Sequence, residues 1–163
     1  MLLRCSLLSA VLLLSACDKK FNEGVKGPVA VPYAKAEWRS YGKTADFEML
    51  VDANSVQHDP QYSEANYTFV WMLQRFNTDQ TDEVGKGQYR LKYTRSAIHC
   101  DSGRMAGVAV ALHDSEDEEV ARYDVPGFQW EFTDPVKDSY GADFIRQVCK
   151  IMSDKDAAQQ DDA

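Results

Sequence analysis

The sequence predicts an α+β domain: an antiparallel β-sheet of about six strands with one C-terminal helix, tied to the sheet by a disulfide. Three observations carry this. Short apolar or alternating runs recur between turn residues from Trp38 to Phe132, the pattern of antiparallel strands. After Asp134-Pro135 a broad apolar stripe repeats at helical spacing. Two cysteines, Cys100 at the end of a strand run and Cys149 inside the helical stripe, are placed to join the two elements.

The chain opens with MLLRCSLLSAVLLLSAC, in which Arg4 precedes an apolar run and the small residues Ser15 and Ala16 precede a cysteine. This is the layout of a signal peptide over residues 1–16. The apolar run is shorter than the about 20 residues a membrane span needs, and charges at Asp18, Lys19 and Lys20 follow it directly. Leu14-Ser15-Ala16-Cys17 looks like a lipobox, so cleavage is expected before Cys17, with acyl chains attached to that cysteine. Two chains already give stable anchoring, at about 0.8 kcal/mol for each buried methylene. Plain cleavage after Ala16 is the alternative, and it would leave a lone exposed thiol in an oxidising compartment. Asp18, directly after the lipidation site, resembles the signal that retains lipoproteins in the inner membrane.

Removal of the leader takes only Arg4 from the charged residues, leaving 17 basic against 26 acidic side chains and a net charge of −9. Such a surface argues against nucleic acid, which is bound through basic patches that neutralise phosphates. It also argues against electrostatic adhesion to anionic lipid headgroups. With Cys5 lost in the leader and Cys17 acylated, Cys100 and Cys149 remain, and in an oxidising envelope they most simply form a disulfide. A metal or redox site is the competing reading. It lacks a CxxC pair, and His99-Cys100 alone falls short of a tetrahedral ligand set.

Residues 17–35 mix Gly, Pro and charge without periodicity, as expected of a tether, and residues 153–163 read as a disordered acidic tail. The domain is expected between them, over 36–152. Its first runs hold Trp38 and Tyr41, then Phe47, Met49 and Val51 opposite Glu48 and Asp52. NYTFVWMLQRF (66–76) alternates Tyr67, Phe69, Trp71 and Leu73 with Thr68, Val70, Met72 and Gln74, and apolar groups on both faces predict a central strand. In 88–100, Tyr89, Leu91 and Tyr93 share one parity while Ile98 and Cys100 carry the other, which predicts a bulge near Thr94 to Ser96. After Asp101-Ser102-Gly103, Val108, Val110 and Leu112 are expected on one face and Gly107, Ala109 and Ala111 on the other. The acidic run 114–119 reads as a hairpin loop before the strand 120–124. Val125-Pro126-Gly127 then turns into an expected strand with Phe128, Trp130 and Phe132. Asp138 or Ser139 can cap the helix, with Asp143 in its first turn and Tyr140, Phe144, Ile145, Val148, Cys149, Ile151 and Met152 on the inward stripe.

No catalytic residues emerge. The acidic residues fall mostly in loops and tails, so no carboxylate pair stands out for acid–base work. His58, His99 and His113 lack a nucleophile motif and read as surface or structural. The acidic run lacks the ligand spacing of a calcium loop, and neither a metal nor a cofactor is called for. The binding residues are unknown from sequence. The remaining signal is aromatic, with Trp38, Trp71, Trp130 and many tyrosines, some of which can serve a protein-binding surface.

Several of these features together resemble the surface-adhesin protein E family of Gram-negative lipoproteins, known from a Haemophilus adhesin. They are Trp38, the segment Val51-Asp52-Ala53-Asn54-Ser55-Val56, Trp71, Cys100 before Asp101, and Cys149 in a terminal helix, together spanning about 36–152. The resemblance implies an antiparallel sheet with a disulfide-tied C-terminal helix, a homodimer, and a protein ligand such as a host matrix or plasma protein. It supplies no short binding motif that maps onto this chain. The expected function is a lipid-anchored, non-catalytic protein-binding module of the bacterial envelope, acting as a surface adhesin. The alternative, which Asp18 favours, is a periplasm-facing accessory or structural lipoprotein. An enzyme, or an inhibitor of a wall-degrading enzyme, is the third class.

Overall fold

The computed structural model describes residues 31–32 and 35–161. The strands are β1 (Trp38–Lys43), β2 (Phe47–Asp52), β3 (Gln57–His58), β4 (Thr68–Thr81), β5 (Gln88–His99), β6 (Arg104–His113) and β7 (Glu119–Asp124), followed by the helix α1 (Tyr140–Asp161). They form one sheet in the order β1-β2-β4-β5-β6-β7, with the short β3 beside β4. Neighbouring strands all pair antiparallel. The α+β expectation therefore holds, disulfide included.

The two-sided alternation of β4 explains the layering. Val70 joins Val51, Ile98 and the helix residues Phe144, Ile145, Val148 and Met152 in the core beneath α1. Trp71 and Leu73 face the other way, against Leu50, Tyr93, Ala109 and Ala111. Phe69, on that second face, packs with Ala97, Ala106 and Val108 under Tyr62, Tyr67, Trp130 and Phe132. Phe69, Val70 and Ile98 are at most 1% exposed, and burying side chains of this size contributes about 1.5–3 kcal/mol each.

The irregularity expected near Thr94 to Ser96 is present at Arg95/Ser96 in the pairing of β5 with β6, but the two-sidedness of β5 itself is unbroken. Pairing of β4 with β5 runs without interruption from Thr68↔Ile98 to Arg75↔Leu91, so the opposite parities of Tyr93 and Ile98 mark two buried faces, not a slip. The extra residue lies in β6, where Arg95 pairs with Ala109 and Ser96 with Gly107. Val108, left between them, packs in the same cluster as Ala106. Beyond it the parity flips, so Val108 does not share a face with Val110 and Leu112 as alternation alone predicts.

Three further expectations change. The run 128–132 is not a strand: Gly127–Gln129 is a 3₁₀ turn, and only Thr133 bridges to Met105. Trp130 explains why, since its ring packs inward on Tyr62 and Phe69 while its Nε1 donates to Val125 O at 2.7 Å. The residues from Ser153 are helical through Asp161, not a disordered tail. Lys155 Nζ donates to Val56 O at 2.7 Å and to Ala53 O at 3.2 Å, and Lys150 pairs with Asp154 one turn on, so this stretch has both a tertiary anchor and an i,i+4 pair. Val31, within the segment read as tether, is 4% exposed and packs with Leu50, Trp71 and Tyr93, so ordered packing starts before residue 36. The leader, Cys17 and Asp18 lie outside the described residues.

Helix α1 begins as its sequence suggests. Ser139 Oγ accepts the Ala142 N–H at 3.2 Å, and Asp143 sits in the first turn. Gly42 on β1 leaves room for the Tyr140 ring, because a Cβ there would overlap its hydroxyl end and the ring would have to move. Tyr41, the bulged residue next to it, meets the rings of Tyr140 and Phe144 edge-on. Among the described residues no helix is long and apolar enough to cross a membrane.

Candidate ligand-binding surface

Two surface features stand out once the core is accounted for. The first is a cleft of about 330 Å³ between β3, the start of β4 and the second half of α1. The strand β3 exists because Gln57 and His58 pair with Phe69 and Thr68. Its neighbour on the helix side is fixed by the Cys100–Cys149 bond, with Cα atoms 5.7 Å apart. The disulfide, Met152 and Ala157 line the cleft together with the polar side chains of His58 and Asp156. His58 Nδ1 lies 3.0 Å from Tyr67 O, and its Nε2 lies 3.5 Å from Asp156 Oδ2. A carbonyl accepts only from an N–H, so Nδ1 carries a proton and Nε2 faces the carboxylate.

The second feature is the connection between β7 and α1. Tyr67, Trp130 and Phe132 form a ring cluster against the sheet, with Tyr67 and Phe132 stacked at 4.9 Å. The backbone of the turn is pinned by Gln129 N–H to Pro126 O at 2.8 Å. Phe128, at its tip, is 86% exposed, and Val136 further along is 77% exposed. An aromatic side chain held outward on an ordered turn offers contact area at small entropic cost.

Residues 38–150 match the model of a protein family described as surface-adhesin protein E. The chain belongs to the surface-adhesin protein E family. No curated protein matches it. Family membership implies a location at the bacterial cell envelope or surface and a partner to bind.

The features that carry the family resemblance prove to be scaffold in this family member. Asp52 ends β2 and is 1% exposed, and its Oδ1 accepts the N–H of Glu37 at 2.8 Å and of Asn54 at 3.0 Å. Ser55 Oγ donates to Asp52 O at 2.7 Å and accepts the Trp71 N–H at 2.8 Å, so the Asp-x-x-Ser turn ties β2 to β4. Trp38 packs on Tyr93 at 5.7 Å. These residues hold the fold, and of the features that carry the resemblance only the Cys100–Cys149 pair also borders a surface feature, the cleft.

The three histidines are dispersed. His99 Nδ1 sits 2.8 Å from Ser102 Oγ and 3.3 Å from Ser102 N, the geometry of a cap on the β5–β6 turn. His113 is buried at the base of the acidic hairpin, where Nδ1 lies 3.0 Å from Asp117 Oδ1 and Tyr93 Oη donates to the same oxygen at 2.9 Å. That hairpin is ordered by Asp114, whose Oδ1 accepts the N–H groups of Glu116 and Glu118. Among the described residues no three His, Cys, Asp or Glu side chains gather as a metal site.

Three carboxylates among the described residues are held low, Glu119 by the Arg122 guanidinium and two others by tyrosine. The Tyr41 hydroxyl donates to Asp143 Oδ2 at 2.7 Å and holds that carboxyl below the usual range, while burial and this bond push the Tyr41 phenol up. Tyr123 does the same for Asp82 at the tip of the β4–β5 hairpin, and its own hydroxyl is raised by that bond. Both pairs join elements far apart in sequence.

The sequence reading missed Asp156 because it lay in a presumed tail. It missed Phe128 as a surface group because it placed Phe128 in one strand with Trp130 and Phe132, whereas Gly127–Gln129 is a 3₁₀ turn. His58 was visible but had no partner in the sequence. The signals that could have found the cleft are the Lys150 to Asp154 spacing, which extends the helix, and the AAQQ composition after it.

Proposed function

We propose that the chain is a lipid-anchored, non-catalytic protein-binding module of the bacterial envelope that acts as a surface adhesin. The match of residues 38–150 to the surface-adhesin family carries this reading. The lipobox ending at Cys17 supplies the anchor. The outward Phe128 and Val136 supply a contact surface on an ordered loop. Both edge strands, by contrast, carry register shifts, at Ser40/Gly42 in β1 and beside Glu119 in β7, and charged residues. Such edges discourage strand addition, so the loop is the favoured contact for a host matrix protein and for the proposed homodimer.

Protease shaving of intact cells with immunodetection of the domain tests the role. Loss of the domain signal without lysis is the expected result. Complete protection in intact cells, with cleavage only after the outer membrane is opened, would replace the adhesin by the periplasm-facing accessory that Asp18 favours. Cys17→Ala is expected to move the protein out of the detergent phase.

A further inference from the structure

Behind the turn that carries Phe128 lies a buried charge that apolar packing does not explain. Arg95 stands on β5 with its side chain 8% exposed. Its guanidinium lies 4.2 Å above the Phe69 ring and donates to Asp59 Oδ2 at 2.9 Å. We propose that Arg95, paired with Asp59, is the positioning residue of the contact turn: through Tyr62 it fixes the pose in which Phe128 is offered to a partner. The inference rests on the protein-binding reading for what Phe128 touches, whereas the hold on the turn is tested on its own.

Asp59 is the hub of the loop between β3 and β4. Its Oδ1 accepts the Gln61 N–H at 3.0 Å and its carbonyl accepts the Tyr62 N–H at 2.9 Å, so the residue that Arg95 grips also sets where Tyr62 stands. The Tyr62 ring packs on Phe69 at 5.6 Å and on Trp130 at 4.7 Å. A Cβ built at Gly127 would lie 3.5 Å from Tyr62 Cε1, so the backbone just before Phe128 rests against that ring. Trp130, two residues after Phe128, is fixed by its own bond to Val125 O. Phe128 therefore stands between two fixed points, and its 86% exposure is that of a held side chain. A buried ion pair adds little net stability, because desolvation of both charges offsets most of their attraction. An apolar residue at position 95, beside Ala97 and opposite Ala109, would pack without that cost. The planar fork of arginine supplies direction instead: stacking sets its height over Phe69, and the bond to Asp59 sets the register of the loop.

The test uses the full chain in detergent micelles, with NMR of the Phe128 ring and the Trp130 indole and with capture by a basement-membrane extract immobilised on a sensor. Arg95→Met is expected to shift both aromatic signals, to speed exchange of the Trp130 Nε1 hydrogen about tenfold, and to weaken capture about tenfold. Arg95→Lys, which returns a cation to Asp59, is expected to bring these readouts back toward wild type. Tyr62→Leu keeps the ion pair and removes the ring that supports Gly127, so it should shift the same signals even where Arg95→Met folds poorly. Gly42→Ala, which disturbs Tyr140 on the far edge strand, should lower stability and leave the Phe128 and Trp130 signals in place. In a Phe128→Ser background Arg95→Met should cost no further capture. Unmoved turn signals in Arg95→Met and Tyr62→Leu, equal displacement in Gly42→Ala, or capture losses of Arg95→Met and Phe128→Ser that simply add would each overturn the proposal. If Phe128→Ser alone leaves capture unaltered, the contact reading fails instead, and the two aromatic signals still decide whether Arg95 holds the turn.

Discussion

Replacing both disulfide cysteines by alanine, in a Cys100→Ala/Cys149→Ala variant, should cost most of the chain-entropy value of the crosslink. The bond spans a sequence separation of 49. On the loop-closure relation this corresponds to about 4 kcal/mol at 25 °C. The ordered domain has about 125 residues, for which an unfolding entropy of about 2.1 cal/mol/K per residue converts the loss into a fall in Tm of roughly 15 °C. The helix should remain docked in the variant, because Phe144, Ile145, Val148 and Met152 stay buried and Lys155 still reaches the carbonyls of Ala53 and Val56. Urea unfolding followed by far-UV circular dichroism, with calorimetry in parallel, measures both quantities. Hydrogen exchange then shows whether α1 opens before the sheet. A loss under about 1 kcal/mol with unchanged m-value would show that the unfolded chain is already restrained, and would refute the entropic reasoning. Undocking of α1 with the sheet intact would refute the claim that the helix is held by its apolar face.

Ser55→Ala should destabilise by about 2 kcal/mol in chemical unfolding, since it leaves the Trp71 N–H without its acceptor in a partly buried turn. Gly42→Ala should cost about 1 kcal/mol, because the Tyr140 ring must leave its contact with Tyr41, and an additional Tyr140→Ala change should remove the difference. The stability gap between wild type and Tyr41→Phe should depend on pH. Asp143 is depressed, so its share is present above the unfolded value near 3.9 and is lost as pH falls through its lower folded value; Tyr41 is raised, so its share is present below about 10 and is lost above that. A gap that is flat from about pH 5 to 9 and narrows at both ends is expected in urea titrations, and a gap that widens in acid would reverse the assignment. Phe128→Ser should leave Tm unchanged, as its ring is 86% exposed, yet reduce capture by immobilised host matrix protein, and unaltered capture would move the contact elsewhere.

The sequence by itself determined what depends on local periodicity and on counting. The alternation of Tyr67 to Gln74 set a central strand buried on both sides, and the stripe from Phe144 to Met152 set the inward face of α1. Elimination of Cys5 and Cys17 left Cys100 and Cys149, the pair that is bonded. These are properties a chain carries one or two turns at a time, so they survive without knowledge of neighbours. The tertiary structure decided the rest. Whether Val108 shares a face with Val110 depends on β6 holding one residue more than β5 does, which only the paired strands reveal. Whether residues after Ser153 stay helical depends on Lys155 reaching backbone carbonyls 99 and 102 positions earlier. His58 and Asp156 become one site because β3 and the end of α1 are both packed against the start of β4, and no spacing along the chain encodes that meeting. Long-range hydrogen bonds and contacts are fixed by which surfaces bury together, and that choice is made by the whole sheet at once.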